Sequence, residues 1–259
     1  MKHRAEIPGL ALALIGSGLA LHDTAAVAGD EDEIPFDVAT IYFELNNTDG
    51  DLGIHSLIDG EPWRALEIET PREREILQIR LRDRLRRQGL TELFFESAEP
   101  PFESDDPEEV TLTPERFFRR FPEGIYEVSG LTLEGDELES AVMVTHLMPA
   151  PPQIFVNNLP VSEDCENPAP AVGMPFTISW LPVTESHPEI GRTGEPIELV
   201  RYELIVERPD DPPIPFKITV ELGPDVTAFP FAADIVGGEP LKVEVLAREA
   251  SGNQTATEA

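Results

Sequence analysis

Residues 43–55 read FELNNTDGDLGIH, and this stretch sets the register of the strands around it. Apolar residues stand on both sides of a short polar segment, and that segment contains Asp49-Gly50, a pair typical of tight hairpin turns. The pattern predicts two antiparallel strands joined at Asp49-Gly50. The next such pair, Asp59-Gly60, predicts a second turn a few residues later.

The same stretch also allows a calcium site. Asn47, Asp49 and Asp51 alternate like the first ligands of a calcium loop. The EF-hand pattern then fails, because Leu52 stands where the sharp-turn glycine belongs and Ile58 stands where the bidentate glutamate belongs. A calcium site of another kind remains the alternative to turn chemistry, with these candidate ligands: Asn47, Asp49, Asp51 and Asp59. No other cofactor is predicted.

The charge of the chain limits its partners. Among 259 residues, 50 are Asp or Glu and 19 are Lys or Arg, which gives a net charge of −31. Such a surface repels phosphate backbones and anionic membrane surfaces, so nucleic-acid binding is not expected. The single cysteine, Cys165, excludes a disulfide within the chain, and its acidic neighbours Glu163, Asp164 and Glu166 disfavour a reactive thiolate.

The N-terminus has the pattern of a secretion signal. Lys2 and Arg4 precede an apolar run over residues 7–21, and Ala-Val-Ala at 26–28 places small residues at a cleavage position. We expect residues 1–28 to be a signal peptide. The mature protein is then expected in the periplasm or outside the cell, without a membrane span after cleavage.

The segment MPAPPQ at 148–153 predicts a stiff linker, since consecutive prolines hold an extended conformation. It divides the chain into an N-terminal β-domain at 29–148 and a second domain at 149–259. In the second domain, apolar residues alternate with polar ones in four runs bounded by turn residues, at 176–180, 198–207, 216–222 and 241–249. Short strands at this spacing predict a β-sandwich.

Residues 150–259 resemble a fibronectin type III domain. Trp180 in FTISW matches the core tryptophan of the second strand, and Tyr202 in RYEL matches the tyrosine of the third. The segment VEVLAREASGNQT at 243–255 is similar to the family's sixth strand and last hairpin. The resemblance implies an immunoglobulin-like sandwich with an enlarged loop at 183–197. Leu241 stands where the family usually has a tyrosine, which implies one lost hydrogen bond at a corner.

The first half is also predicted to be mostly β. A hairpin is expected over 124–147, turning at 134–136, and a short helix near 114–121, where Pro114 suits the first helical position. This half is similar to a bacterial secreted β-domain of uncharacterised function with the patterns TDGD…H…DGE.W and GLTELFFES.EP.F. The fold class expected for the whole chain is mostly β, with two tandem β-sandwich domains.

Residues 70–89 fit two structures. Thr70 and Glu73 make a capping-box pattern, and Gly89 follows an arginine-rich end, as in a helix. Apolar residues at 79, 81 and 85 also alternate with arginines, as in a strand. The segment contains the one basic island of the chain: Arg80, Arg82, Arg84, Arg86 and Arg87. The island is either a solvated face that pairs with acids of its own domain or a docking patch for an acidic partner.

No catalytic motif is present. The chain has no Gly-x-Ser-x-Gly elbow, phosphate loop or dinucleotide fingerprint, and its histidines do not have zinc-ligand spacing. We therefore expect a non-catalytic binding or adhesion-type protein that acts through sandwich loops or edges on a protein or polysaccharide partner. The alternatives are a calcium-stabilised structural module of extracellular-matrix type, and a hydrolase accessory protein or enzyme with an unrecognised site.

Overall fold

The computed structural model describes residues 33–162, 169–208, 216–232 and 240–259. The predicted signal peptide and Cys165 lie outside these residues. The fold is mostly β, as the sequence predicts. The first half contains these elements: β1 (Val38–Asn46), β2 (Asp51–Glu69), β3 (Glu75–Arg80), α1 (Asp83–Gln88), β4 (Leu90–Glu96), α2 (Pro114–Arg120), β5 (Gly124–Thr132) and β6 (Glu137–Val144). The second half contains these: β7 (Ile154–Val156), β8 (Leu159–Pro160), β9 (Phe176–Trp180), β10 (Leu199–Glu207), β11 (Lys217–Leu222), β12 (Ala228–Phe231), β13 (Lys242–Glu249) and β14 (Gln254–Glu258).

The quoted stretch forms the predicted hairpin. Strands β1 and β2 pair antiparallel from Asn46 opposite Asp51 to Val38 opposite Asp59. The Asn46 side chain closes the turn, because its Oδ1 accepts the backbone N–H groups of Thr48 (3.0 Å) and Asp49 (3.2 Å). Gly50 has φ +69°, a left-handed conformation that glycine adopts without strain. Turn chemistry therefore accounts for the Asp49-Gly50 pair.

The second turn predicted at Asp59-Gly60 is wrong. Strand β2 runs through this pair without interruption and has 19 residues. A Cβ on Gly60 would lie 3.2 Å from the ring of Phe36, so glycine here lets the chain that enters β1 pass close to β2. In this case, glycine marks a close approach of two backbones and not a change of direction.

The long strand β2 organises the first half, because it pairs with β1 and β4 along its first part and with β5 and β3 along its second. The chain ahead of β1 bridges to β6 at Ile34 and Leu138, so the sheet curls back towards its first strand. The enclosed core contains Trp63 and Tyr126, both with no exposed surface. Helix α2 begins at the predicted Pro114 and buries Phe117 in the same core.

Residues 70–89 contain both a strand and a helix. Strand β3 ends at Arg80, and α1 follows from Asp83 to Gln88, ending at Gly89 with φ +76°. Thr70, predicted as a helix cap, instead closes a hairpin turn, where its hydroxyl accepts the N–H of Arg74 at 3.3 Å. Hydroxyl side chains satisfy backbone donors in caps and in turns alike, so the local signal was ambiguous.

The second half is a two-layer sandwich, with β12-β9-β7-β8 as one sheet and β11-β10-β13-β14 facing it. This is the sandwich architecture that the alternating runs predict. Trp180 and Tyr202 meet edge to face with ring centroids 5.3 Å apart, and both are buried. The Val183 N–H donates to the Tyr202 hydroxyl at 2.8 Å. The predicted core pair is confirmed.

The two halves share one sheet. Strand β14 pairs in parallel with β1, which gives the continuous order β11-β10-β13-β14-β1-β2-β5-β6. Residues 148–153, predicted as a linker, are packed: Met148 is fully buried, and Pro149 O accepts the Thr255 hydroxyl at 2.8 Å. Proline-rich composition predicts an extended backbone, which here lies against β14 and does not act as a spacer.

The enlarged loop between β9 and β10 also contacts the first half. Ile190 packs against the first core, and the Arg192 N–H donates to His146 O at 2.9 Å. The His187 Nε2 lies 3.0 Å from Asn47 Oδ1 in the turn of the first hairpin. Among the described residues, neither helix is long or apolar enough to cross a membrane.

Candidate functional site

A cavity of about 720 Å³ lies on the outer face of the first half. Strands β3, β2, β5 and β6 form its floor, since Gln78, Glu67, Ser129 and Glu139 are successive cross-strand partners on one face of the sheet. The start of α1 stands at its side, where Arg82 and Arg86 line it. The outward-facing residues of these strands and the start of α1 therefore bound the cavity together.

Arginines surround this cavity. Three of the five arginines in the predicted docking patch line it, namely Arg80, Arg82 and Arg86, whereas Arg84 and Arg87 do not. Arg64 joins them from β2, and its carbonyl accepts the Leu81 N–H at 2.9 Å. Sequence reasoning missed Arg64 because it lies 16 positions before Arg80 and reaches the cavity only through strand pairing.

The arginines of the basic island are free of ion pairs with every described residue. By contrast, Arg192 pairs with Glu195 and Arg201 with Glu221 at 2.8 Å. The island is thus a solvated face, since all five arginines are exposed, but without the pairing to acids of its own domain among the described residues. The cavity is also lined by Glu67, Glu137 and Glu139; Glu67 accepts the Gln78 amide at 3.1 Å, and none of the three has an ion pair with the four guanidinium groups.

The predicted calcium ligands do not form one site. Asp51 stands opposite Asn46 and Asp59 opposite Val38, so eight residues of extended strand, about 27 Å, separate the two carboxylates. Asn47 turns its amide oxygen to His187. Asp49 accepts the Asn46 amide at 3.1 Å and stays beside Asp51. Of the four predicted calcium ligands, only Asp49 and Asp51 therefore lie side by side, whereas Asp59 and Asn47 do not join them.

A different set of side chains converges next to this turn. His55, Glu96 and Glu99 bring a ring nitrogen and two carboxylate oxygens within 4.8 Å of one another. His55 is opposite Glu96 across the β2–β4 pair, and its Nε2 lies 3.2 Å from Glu99 Oε1. These three residues could hold a metal ion. Their sequence positions span 44 residues, so linear spacing gave no sign of them; the other histidine of this half, His146, bonds Phe121 O at 2.8 Å.

The positions around His55 are fixed by packing. The imidazole is only 4% exposed and stacks on Tyr42 with centroids 5.3 Å apart. Gly53 lies under the Glu99 carboxylate, and a Cβ there would lie 1.9 Å from Glu99 Oε1. The missing side chain at Gly53 therefore makes room for Glu99 next to His55.

Negative charge is concentrated on this part of the sheet. Burial and the nearby Glu99 and Asp49 charges raise the pKa of Asp51 to about 7. Burial also raises the pKa of Glu44, which accepts the Gln254 amide, although the charge of His55 opposes the shift. Burial lowers the pKa of His55, but the Glu99 hydrogen bond and the charges of Glu44, Glu99 and Glu96 outweigh it and raise the value. The two acids hold protons more tightly than usual because burial and neighbouring carboxylates disfavour their charged forms.

No protein-family model and no curated protein sequence matches the chain. Among solved structures, three fibronectin type III domains (FN1-FN3) of chicken CNTN1 overlap 88% of this chain at 10% identity and a TM-score of 0.31. A tetra-tandem repeat in the extending region of a large adhesion protein overlaps 86% at 10% identity and a TM-score of 0.23. The chain spans 64% and 48% of those chains. Similarity at this level carries no inference about function.

Proposed function

We propose that this chain is a non-catalytic binding protein whose arginine-lined cavity holds a carboxylate-bearing segment of an acidic protein partner. The observation that carries the proposal is the convergence of Arg64, Arg80, Arg82 and Arg86 on one cavity without an ion pair to any described residue. A guanidinium presents a planar set of donors that matches a carboxylate in two parallel hydrogen bonds. Four of them against the three lining glutamates, Glu67, Glu137 and Glu139, leave unpaired guanidinium donors for a carboxylate of the partner.

The size of the cavity supports a short ligand segment. At about 720 Å³ it lies within the range of roughly 300–1,000 Å³ that is usual for ligand pockets. Apolar surface from Ala65 and Leu131 lies between the charged groups and would contact the aliphatic part of a glutamate or aspartate side chain.

The charge of the whole chain also favours a short segment over a long polyanion. A net charge of −31 repels an extended anion along its full length, whereas a few carboxylates inside the cavity respond mainly to the arginines within about one Debye length. The protein is then a binding module with one local basic site, located in the periplasm or outside the cell as the signal peptide at 1–28 predicts.

The test is a fluorescence anisotropy titration with a short, labelled glutamate-rich peptide, using its glutamine counterpart as the matched probe. Substitution of Arg80, Arg82 and Arg86 by Gln should weaken binding of the acidic peptide at least about tenfold, since one charge-assisted hydrogen bond contributes roughly 1.5–3 kcal/mol. The control replaces an equal number of exposed arginines on α2, namely Arg116, Arg119 and Arg120, and should bind as the parent does.

Three outcomes would contradict the proposal: equal affinity for both probes, equal loss in both triple variants, or no binding to the parent protein. Binding of a uronic-acid oligosaccharide in place of the peptide, lost in the Arg80, Arg82 and Arg86 variant, would reassign the partner to a polysaccharide and reject the protein partner.

A further inference from the structure

We propose that His55, Glu96 and Glu99 form a binding site for a divalent transition-metal ion of the zinc type. The site is separate from the arginine cavity and independent of the proposed function. It lies on the outer face of the sheet beside the first hairpin turn, where β4 and the chain that follows it meet β2.

The ligand atoms are already near the spacing that a metal requires. Two ligands of a tetrahedral zinc ion, each about 2.0–2.1 Å from the metal, lie roughly 3.4 Å apart. His55 Nε2 and Glu99 Oε1 are separated by 3.2 Å, and all three donor atoms fall within 4.8 Å of one another. Small rotations of the Glu96 and Glu99 side chains bring the third donor to the same distance, and solvent can supply a fourth ligand.

The surroundings hold the histidine in place. Its ring is almost fully buried between Tyr42 and Phe94, with centroid distances of 5.3 and 6.3 Å. Ligand preorganisation of this kind lowers the entropic cost of binding an ion. Gly53 keeps the Glu99 carboxylate next to the histidine, because a Cβ at position 53 would occupy the place of that carboxylate.

The surrounding charge favours a cation. Glu44, opposite Gly53, and Asp51 lie on the same face of the β1–β2 pair as His55, so their carboxyl groups add to the acidic surroundings of the three ligands. A bound dication would neutralise this excess as protons do at lower pH. The imidazole nitrogen selects for zinc-type ions over calcium, which prefers six to eight oxygen ligands.

The experiment is calorimetric titration of the chelator-treated protein with Zn²⁺, supported by the visible absorption spectrum of the Co²⁺ form. We expect one saturable site. Glu96→Gln and Glu99→Gln should each weaken zinc binding at least about tenfold and change the cobalt spectrum. Both side chains lie towards the rim, so a melting curve checks that these variants fold. The matched control is Glu92→Gln, which lies on the same face of β4 opposite Asp59 and should bind as the parent does.

Three results would overturn the proposal. One is the absence of one-to-one zinc uptake by the parent protein. Another is an equal loss of affinity in Glu92→Gln and Glu96→Gln. The third is calcium binding as tight as zinc binding and unchanged in His55→Gln, which would assign the affinity to surface carboxylates alone.

Discussion

Asn253 is the side chain that joins the two halves most directly. It is 1% exposed, and its Oδ1 accepts the Phe43 N–H at 2.8 Å while its Nδ2 donates to Thr145 O (2.9 Å) and Leu147 O (3.1 Å). One amide thus satisfies three backbone groups that no strand pairing reaches. Because these partners are buried or half-buried, removing the amide leaves them without a hydrogen bond and without full access to water.

Asn253→Ala is expected to lower the free energy of unfolding by about 2–3 kcal/mol, because an orphaned buried donor or acceptor costs roughly 1–3 kcal/mol. Urea denaturation measures the change. The control is Gln78→Ala, whose amide bonds the half-buried Glu67 and the exposed Glu75; its loss of stability should stay within about 0.5 kcal/mol. Equal effects in the two variants would show that Asn253 does not join the halves.

At this scale, sequence reasoning found some residues and missed others. Trp180 and Tyr202 were identifiable because a strand alternates with period two and a family pattern names its core positions. His55, Glu96 and Glu99 were not identifiable, because His55 and Glu99 are 44 positions apart in sequence. They come together only through the pairing of β2 with β4. Asn253 was missed for the same reason, since its partners lie more than 100 residues away.

Among the elements, the loop from 181 to 198 connects the sandwich to the first half. Gly191, with φ +75°, lies so close to the first half that a Cβ would stand 2.1 Å from His146 O. Gly194 in the same loop has φ +69° and nothing within 4 Å of its Cβ position. Alanine at Gly194 would therefore measure the strain of a left-handed backbone alone, whereas alanine at Gly191 would add the clash with His146.

Gly194→Ala is expected to cost about 1–2 kcal/mol of stability, the strain of a left-handed alanine. Gly191→Ala carries the same strain and must also move the loop away from His146, so we expect a further loss of about 1–3 kcal/mol. Thermal and urea unfolding of both variants, with limited proteolysis of the loop, measure the difference. Identical stabilities would mean that the loop does not hold the halves together.

Local patterns predicted most elements and misplaced a few. The hairpin over 124–147 and the helix at Pro114 follow from turn glycines and from proline at a helix start. Residues 70–89 carried strand and helix signals because they contain one of each, β3 and α1. Asp59-Gly60 was misread as a turn because the same dipeptide also permits close packing inside a strand.

For the whole molecule, the parallel pairing of β14 with β1 merges two cores under one sheet. Sequence patterns could not show this pairing, since alternation along a strand indicates its buried face and not its neighbour in another half of the chain. The shared sheet also gathers acids from both halves on one face. Burial and the charges of Glu258 and Glu44 raise the pKa of Glu244 to about 8.

The protein should therefore be more stable at pH 5.5 than at pH 8.5. Asp51 and Glu244 keep protons in the folded state up to about pH 7 and 8, whereas the unfolded chain loses them near pH 4, so stability falls as pH rises between these values. The raised pKa of His55 acts in the same direction, because the stability it contributes is lost as pH rises through the folded value.

After solvent screening, each of the two carboxyls should lower the free energy of unfolding by about 1 kcal/mol between these pH values. Tm should then be roughly 4–8 °C lower at pH 8.5 than at pH 5.5. Calorimetric scans across this range measure the slope. Asp51→Asn with Glu244→Gln should flatten it, whereas Asp59→Asn, eight residues further along β2 than Asp51, should not. A slope unchanged by the double substitution would place its origin elsewhere in the acidic surface.

Binding of partner carboxylates by the cavity arginines is tested most directly by an NMR titration of the arginine side-chain N–H signals with the glutamate-rich peptide. We expect saturable shifts for Arg64, Arg80, Arg82 and Arg86, with the signals of Arg116, Arg119 and Arg120 unmoved. Shifts spread evenly over all arginines, or none at the four cavity residues, would contradict it.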